Sequence, residues 1–293
     1  MRLRTARAVY AVVVLVLVLG CWEFVKLVVP EGGVSIGDQR ILPRTGDGAL
    51  PHVWAVVTVL GERDGNGTVG VTLVRTAGFT LGLALLALLI GTVIGVLLAV
   101  VMQRFAFVER GLLPYIIVSQ TVPLIALAPL VAGWGGKIVI AGEPWRPWMS
   151  IAVIASYLAF FPVAVGMLRG LQAPSKASVE LLHSYSASWW ETLLHLRLPA
   201  AVPHLLPALR LAAAASVIGA VVAEISTGTA GGIGRQIIVF SQQATGDASR
   251  LYAAVLAAAL LGVVVTAVVG VAELALRRYS RPVGAARPAG AAR

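Results

Sequence analysis

Charge is scarce in this chain: Asp, Glu, Lys and Arg make up 12% of its 293 residues, against roughly 25% in an ordinary soluble domain. Cysteine is scarcer still. The single Cys21 excludes an intramolecular disulfide and any multi-cysteine metal site. His183, His195 and His204 are close in sequence, but spacings of twelve and nine place no two on adjacent helical turns, and no acid or cysteine framework surrounds them. That pattern argues against a metal centre. The chain has no Gly-x-x-x-x-Gly-Lys-Ser/Thr phosphate loop, so it is not an ATPase by that mechanism. Within its long apolar runs it also lacks a Gly-x-Ser-x-Gly elbow and paired carboxylates and histidines, which a membrane protease or lipid phosphatase would need at membrane depth. Gly231-Gly-Ile-Gly234 imitates a dinucleotide loop, yet it follows an apolar helix with no strand before it and reads as a flexible turn.

What the chain has in abundance is apolar surface, 58% of its residues. A bilayer core of roughly 30 Å takes about 20 apolar residues in helical rise. Six runs meet that requirement: Ala8–Val29, Phe79–Met102, Leu112–Trp134, Trp148–Leu168, Leu205–Ile225 and Leu251–Leu276. The fold class expected is all-α, a polytopic membrane protein with six transmembrane helices. Basic residues are retained on the cytoplasmic side. With the N-terminus inside, fourteen of the 23 Lys and Arg fall inside and nine outside, so both termini are expected in the cytoplasm. The net charge of +10 is then mainly topological, and no nucleic-acid function is read from it. Val18-Leu-Gly-Cys21 has the shape of a weak lipoprotein cleavage site, but five further spans favour an uncleaved first helix.

The organisation expected is an N-terminal transmembrane helix over 1–29 and an extracytoplasmic segment over 30–78. A permease-type helical domain follows over 79–276, containing a cytoplasmic loop at 172–204, and then a basic cytoplasmic tail at 277–293. Within the second segment, Leu50–Leu60 is apolar but only half a span long, which suits an interfacial helix, and Arg63-Asp-Gly-Asn-Gly67 reads as a turn. Gly91-Thr-Val-Ile-Gly95 lets helix backbones approach closely in lipid. Gln120-Thr-Val-Pro123 and Pro129 should kink the third span twice, and a carbonyl freed by proline must find a donor or a wet cavity. Glu224 lies at the outer end of the fifth span, where an ionisable group is costly unless paired or wetted. A gating or pairing role and simple exposure at the interface both remain open for it. Glu273 is expected to pair with Arg277 or Arg278, and Glu23 and Lys26 to snorkel or pair.

The most informative stretch is polar. Pro174-Ser175 opens a helix, with Leu181, Tyr185 and Trp189 spaced four apart as one apolar face requires. Ser184-Tyr-Ser186 should break it. Ser188-Trp-Trp-Glu191 has capping-box spacing for a second short helix running to Leu198, with Pro199 close to its end or kinking the passage onward.

Glu180, Ser186, Leu196, Leu198 and Pro199 fall on the spacing of the cytoplasmic Glu-Ala-Ala loop of binding-protein-dependent ABC importer permeases. The pieces Leu73-Val-Arg75, Gln120-Thr-Val-Pro123-Leu-Ile-Ala-Leu-Ala-Pro129, Phe160-Phe-Pro162, Pro199-Ala-Ala-Val-Pro203, Leu209-Arg-Leu-Ala212 and Val222-Ala-Glu224 resemble the same family, most of all its nitrate, sulfonate and taurine types. The resemblance implies a type I permease fold in a bacterial plasma membrane, working as a homodimer. It implies two cytoplasmic ABC ATPase subunits that carry ATP and Mg, while this chain holds no cofactor, and an extracytoplasmic solute-binding protein that delivers a small solute. ATPase coupling would fall on Glu180, Leu181, Leu182, Ser186, Ala187, Ser188, Trp189, Leu196, Leu198 and Pro199. The translocation path would include Gln120, Pro123 and Glu224. The chain departs from the pattern where Leu181 and Leu182 replace the two alanines and Ser186 the glycine. If that position needs positive φ, serine costs about 1 kcal/mol relative to glycine. The competing class is an ion-gradient-driven secondary transporter, for which inverted repeats with charged midplane residues would be expected.

Overall fold

The structure is a computed structural model that describes residues 2–36, 39–42, 44–65, 67–140 and 142–276. The expected basic tail at 277–293 lies outside the described residues. Helices dominate: α1 (Arg2–Val28), α2 (Val53–Thr58), α3 (Val69–Arg104), α4 (Ala106–Ser119), α5 (Leu124–Gly135), α6 (Pro147–Leu171), α7 (Lys176–Ser184), α8 (Trp189–Thr192), α9 (Leu198–Thr227), α10 (Ile233–Gln243) and α11 (Ser249–Leu276). Three two-stranded antiparallel hairpins interrupt the all-α expectation at its loops: β1–β2 (Val34–Ile36, Gln39–Leu42), β3–β4 (Arg63–Asp64, Gly67–Thr68) and β5–β6 (Val139–Ile140, Glu143–Pro144).

Among the described residues, four continuous helices are long and apolar enough to cross a membrane: Val69–Arg104, Pro147–Leu171, Trp189–Thr227 and Ser249–Glu273. The expected third span is a fifth only if α4 and α5, bent by 103°, count as one. The first expected stretch coincides with the 27-residue α1, outside that set. The count of six is thus met in part. The second span begins at Val69, ten residues before Phe79. Its first turns carry Thr72, Arg75 and Thr76, polar residues that mask the helix from a hydropathy reading.

The chain forms two compact units, one of residues up to 80 with 228–260, the other of 81–227 with 261 onward. In the first unit, α11 is tied to the α1–α2 segment. The Tyr252 hydroxyl donates to Ala49 O at 2.8 Å, the Ala248 N–H to Asp47 O at 3.0 Å, and Trp22 meets the Tyr252 ring edge-on at 5.2 Å. Glu23 accepts from the Val53 N–H at 2.7 Å and lies 2.9 Å from His52, while Lys26 pairs with Asp47 and donates to Leu50 O. Both side chains therefore pair. The Lys26 ammonium holds the Asp47 carboxyl below its ordinary range. The apolar stretch at 50–60 holds the short helix α2 and runs into a 3-10 turn over Val59–Gly61, and Gly65, at φ +57, lies in the expected turn, which closes the β3–β4 hairpin.

The second unit is built around α6 and α9, whose contact has room for almost no side chain. A Cβ on Gly170 would meet the Ala201 Cα at 2.6 Å, and one on Gly219 the Ala155 Cα at 2.8 Å. On the other side of α6, a Cβ on Gly91 would stand 2.8 Å from Ala159 Cβ, and one on Gly95 2.8 Å from Phe160 O. The Gly91–Gly95 pair thus serves internal packing of α3 on α6. Where lipid removes the ordinary hydrophobic drive between helices, close backbone approach supplies dispersion contact instead. Ala155, Ala159, Val163, Ala212, Ala213 and Ala220 are all buried in this core.

Candidate functional site

The polar segment after α6 is shaped by three local devices. Ser175 caps α7, its hydroxyl accepting from the Ser178 N–H at 3.2 Å. At the far end, the Ser186 N–H donates to His183 O at 2.9 Å and the Ala187 N–H to Leu182 O at 3.0 Å. These two bonds are the 5→2 and 6→1 pair of a Schellman motif, which requires a left-handed residue between them. That residue is Ser186, at φ +57 the only non-glycine with positive φ among the described residues. The condition attached to its replacement of glycine is met, with a cost of about 1 kcal/mol. Third, Ser188 and Glu191 form the capping box of α8: the Glu191 N–H donates to Ser188 Oγ at 3.3 Å, and the Ser188 N–H to Glu191 Oε2 at 2.6 Å.

Of the two courses open at Pro199, an end or a passage onward, the second helix takes the passage. A π-helical turn over Leu193–Arg197, in which the Leu198 N–H reaches back to Leu193 O, carries the chain straight into α9. The widened turn lies just before Pro199, whose missing N–H and bulky ring disrupt a regular α-turn. Pro199, Pro203 and Pro207 follow at intervals of four, all exposed on one face of α9.

The side chains of this turn divide sharply. Leu181 (58%), Tyr185 (78%), Trp190 (64%) and Leu194 (55%) are exposed, as are Glu180, Ser186, Ser188 and Pro199, whereas Leu182, Ala187, Trp189, Leu196 and Leu198 are half-buried. Trp189 therefore does not share a face with Leu181 and Tyr185. It belongs to the next helix, beneath the Arg104 guanidinium at 5.0 Å from the ring centroid. The Arg197 guanidinium donates to Leu171 O at 3.2 Å and the Gln172 amide to Glu109 at 2.9 Å, so the base of the turn is tied to α6 and α4. Sequence reasoning missed Arg104, though its place in the last turn of a span was visible.

Gln120 and Pro123 come together at the break of the third span, Gln120 as C-cap of α4 and Pro123 as N-cap of α5, both exposed. The break replaces the first expected kink, because proline cannot donate to the preceding turn and pushes Val122 out of helical geometry. Pro129 sits inside an uninterrupted α5. Glu224 is on α9, three residues before its end, and fully buried rather than exposed at an interface. Glu273, 4% exposed, pairs with Arg210 of α9, and its expected partners Arg277 and Arg278 lie outside the described residues. A helix-to-helix pair of this kind cannot be read from local spacing. The amphipathic α10, with Ile233, Ile237 and Phe240 at helical intervals, was also missed although its pattern is in the sequence.

Residues 91–278, more than half of the chain, match the family described as Binding-protein-dependent transport system inner membrane component. The chain is 34% identical over 145 residues to the formylaminopyrimidine transport permease protein of Halalkalibacterium halodurans, covering 50% of this chain and 54% of that one. It is 25% identical to the riboflavin transport system permease protein of Chloroflexus aurantiacus (59% and 60% covered) and 28% to the taurine transport system permease protein of Escherichia coli (60% and 60%). These matches span about half to three fifths of the relatives' lengths. A crystal structure of an amino acid ABC transporter with histidines superimposes with a TM-score of 0.54 at 19% identity, covering 71% of this chain and 95% of that one, a likeness that carries the fold alone. Because the family match runs unbroken from α3 through the broken span and the capped turn into α11, the chain belongs to the binding-protein-dependent transport system inner membrane components.

Proposed function

We propose that this chain is the permease subunit of an ATP-driven importer, forming the path for a small solute that an extracytoplasmic binding protein delivers. The observation that carries the reading is the turn at 172–204. Four large apolar side chains, Leu181, Tyr185, Trp190 and Leu194, are held outward by caps and a Schellman motif rather than by packing. Exposed apolar surface on a rigid, locally stabilised element is the chemistry of a docking site. Its partner is the ATP-hydrolysing subunit, one for each of two copies of this chain, with ATP and Mg held there. Glu180, Leu181, Leu182, Ser186, Ala187, Ser188, Trp189, Leu196, Leu198 and Pro199 form the coupling element. Its base is continuous with α9, so a push on α7 is delivered to a membrane helix as a change between two packed arrangements. Gln120, Pro123 and Glu224 belong to the path. The solute is of the class carried by the relatives: small sulfonates, or heterocyclic vitamins and their precursors. Both termini lie in the cytoplasm of a bacterial cell.

The test is co-purification from native membranes of the tagged wild type and a Glu180→Arg, Ser188→Trp double variant, followed by an ATPase assay. Wild type should bring an ATP-hydrolysing partner and the variant should lose it. Absence of ATPase activity from both preparations would sink the importer reading.

A further inference from the structure

The break in the third span poses a question of hydrogen-bond accounting. In a continuous helix the carbonyl of Ser119 would accept from the N–H of residue 123. Residue 123 is proline and has none. The only backbone bond left to Ser119 O is the turn contact from the Val122 N–H, long at 3.3 Å. A carbonyl has capacity for two donors, and at membrane depth the second comes from a neighbouring group or from water in a cavity. The structure supplies it from another helix: the hydroxyl of Tyr157, on α6, donates to Ser119 O. Tyr157 is half-buried, its ring 5.8 Å from that of Phe160, and α6 is itself fixed by its glycine contacts with α3 and α9. The donor thus stands on a rigid support.

We propose that Tyr157 is a positioning residue for the translocation path. It supplies the donor that Pro123 removes, and so holds the α4–α5 bend that presents Gln120. The proposal rests on the reading of Gln120 and Pro123 as path residues, and it adds a residue on a third helix that sets their geometry. Neighbouring bonds fit this role. The Gln120 N–H donates to Ile117 O and the Thr121 N–H to Val118 O, at 3.2 and 2.9 Å. The backbone up to the break is therefore satisfied locally, and Ser119 O is where tertiary structure enters.

The test uses the one native cysteine to advantage. In the full chain carrying Cys21→Ser, spin labels are placed through Phe107→Cys and Trp134→Cys, both at exposed positions, and labelled chain is diluted with unlabelled. Twenty-seven residues of unbroken helix would set these positions about 40 Å apart, and the bend makes the distance shorter. Adding Tyr157→Phe should broaden the distribution toward longer distances, and Tyr157→Phe with Pro123→Ala, which restores the N–H, should move it close to the straight-helix value. An unchanged distribution in both backgrounds overturns the proposal. If Tyr157→Phe alone fails to assemble, Pro123→Ala should rescue it, and equal failure of the double variant overturns the proposal as well. Uptake of the solute by the same variants separates the two readings. A shifted distance with unchanged uptake leaves Tyr157 as the holder of the bend and removes Gln120 and Pro123 from the path.

Discussion

The α6–α9 contact and the turn that joins these helices are neighbours in sequence, yet they are stabilised by opposite means. Along the contact, small residues bring two backbones together, and nothing larger than glycine fits at 170 or 219. In the turn, no residue of α7 is buried. Its shape comes from main-chain bonds and two serine caps, with Leu181, Tyr185, Trp190 and Leu194 facing outward and the α8 end packing inward through Leu193 and the half-buried Trp189. The difference teaches how a moving part is built. On the proposed function, α7 accepts force from a partner and keeps its form without packing, while the helices that receive the force are joined closely enough to move together. Side chains substituted in the first region should act on the fold, and those substituted in the second should act on what the fold can hold.

The largest expected effect is at the close contact. Gly170→Val would drive its Cβ into the Ala201 Cα, 2.6 Å away, and backbone on both sides leaves no flexible atom to yield. A loss of about 3 kcal/mol, the upper part of the overpacking range, should appear as lower thermal stability in detergent and poor yield. Gly82→Ala is the control, since nothing lies within 4 Å of a Cβ there. It should be neutral or stabilising by up to about 1 kcal/mol. Equal behaviour of the two variants would show that the contact is looser than its geometry.

The next effect is smaller and of opposite sign. Ser186→Gly relieves a left-handed serine at φ +57 and should stabilise the turn by about 1 kcal/mol. Amide exchange across the turn should slow by roughly fivefold, with no change in the spans. If exchange does not slow, the Schellman geometry is not what limits the turn.

How much of this was legible in advance follows from the range of each interaction. The caps at Ser175 and Ser188, the break near Tyr185 and the glycine pair at 91 and 95 depend on residues within one or two turns, and each lies where its spacing put it. So too did the need for positive φ at 186, stated as a condition because spacing gives position but not dihedral. What escaped was set by partners distant in sequence or by the way one helix runs into another. The Arg210–Glu273 pair joins helices that hydropathy treats as independent. The π-helical turn carries the chain past Pro199, where spacing left an end and a kinked passage equally open. The third span was read as kinked because apolar length hides a break of four residues, and the hydroxyl that meets the break comes from 38 positions away.

The smallest effect on the fold is the sharpest test of the comparison. Leu181 is 58% exposed on α7, so replacing it forfeits little burial. Arginine matches leucine closely in helix propensity, and position 181 lies in the second half of the helix, where a cation is favoured by the dipole. Leu181→Arg should therefore change thermal stability by no more than about 0.5 kcal/mol. At a docking surface the same change replaces an apolar contact with a charge that must be desolvated, a cost the interface cannot recover without an acid opposite. Retention of the fold with loss of the co-purifying ATPase would separate what shapes the turn from what the turn is for. Retention of both would move the docking contact to Tyr185 or Trp190, and a large loss of thermal stability would mean that the turn is held by packing after all.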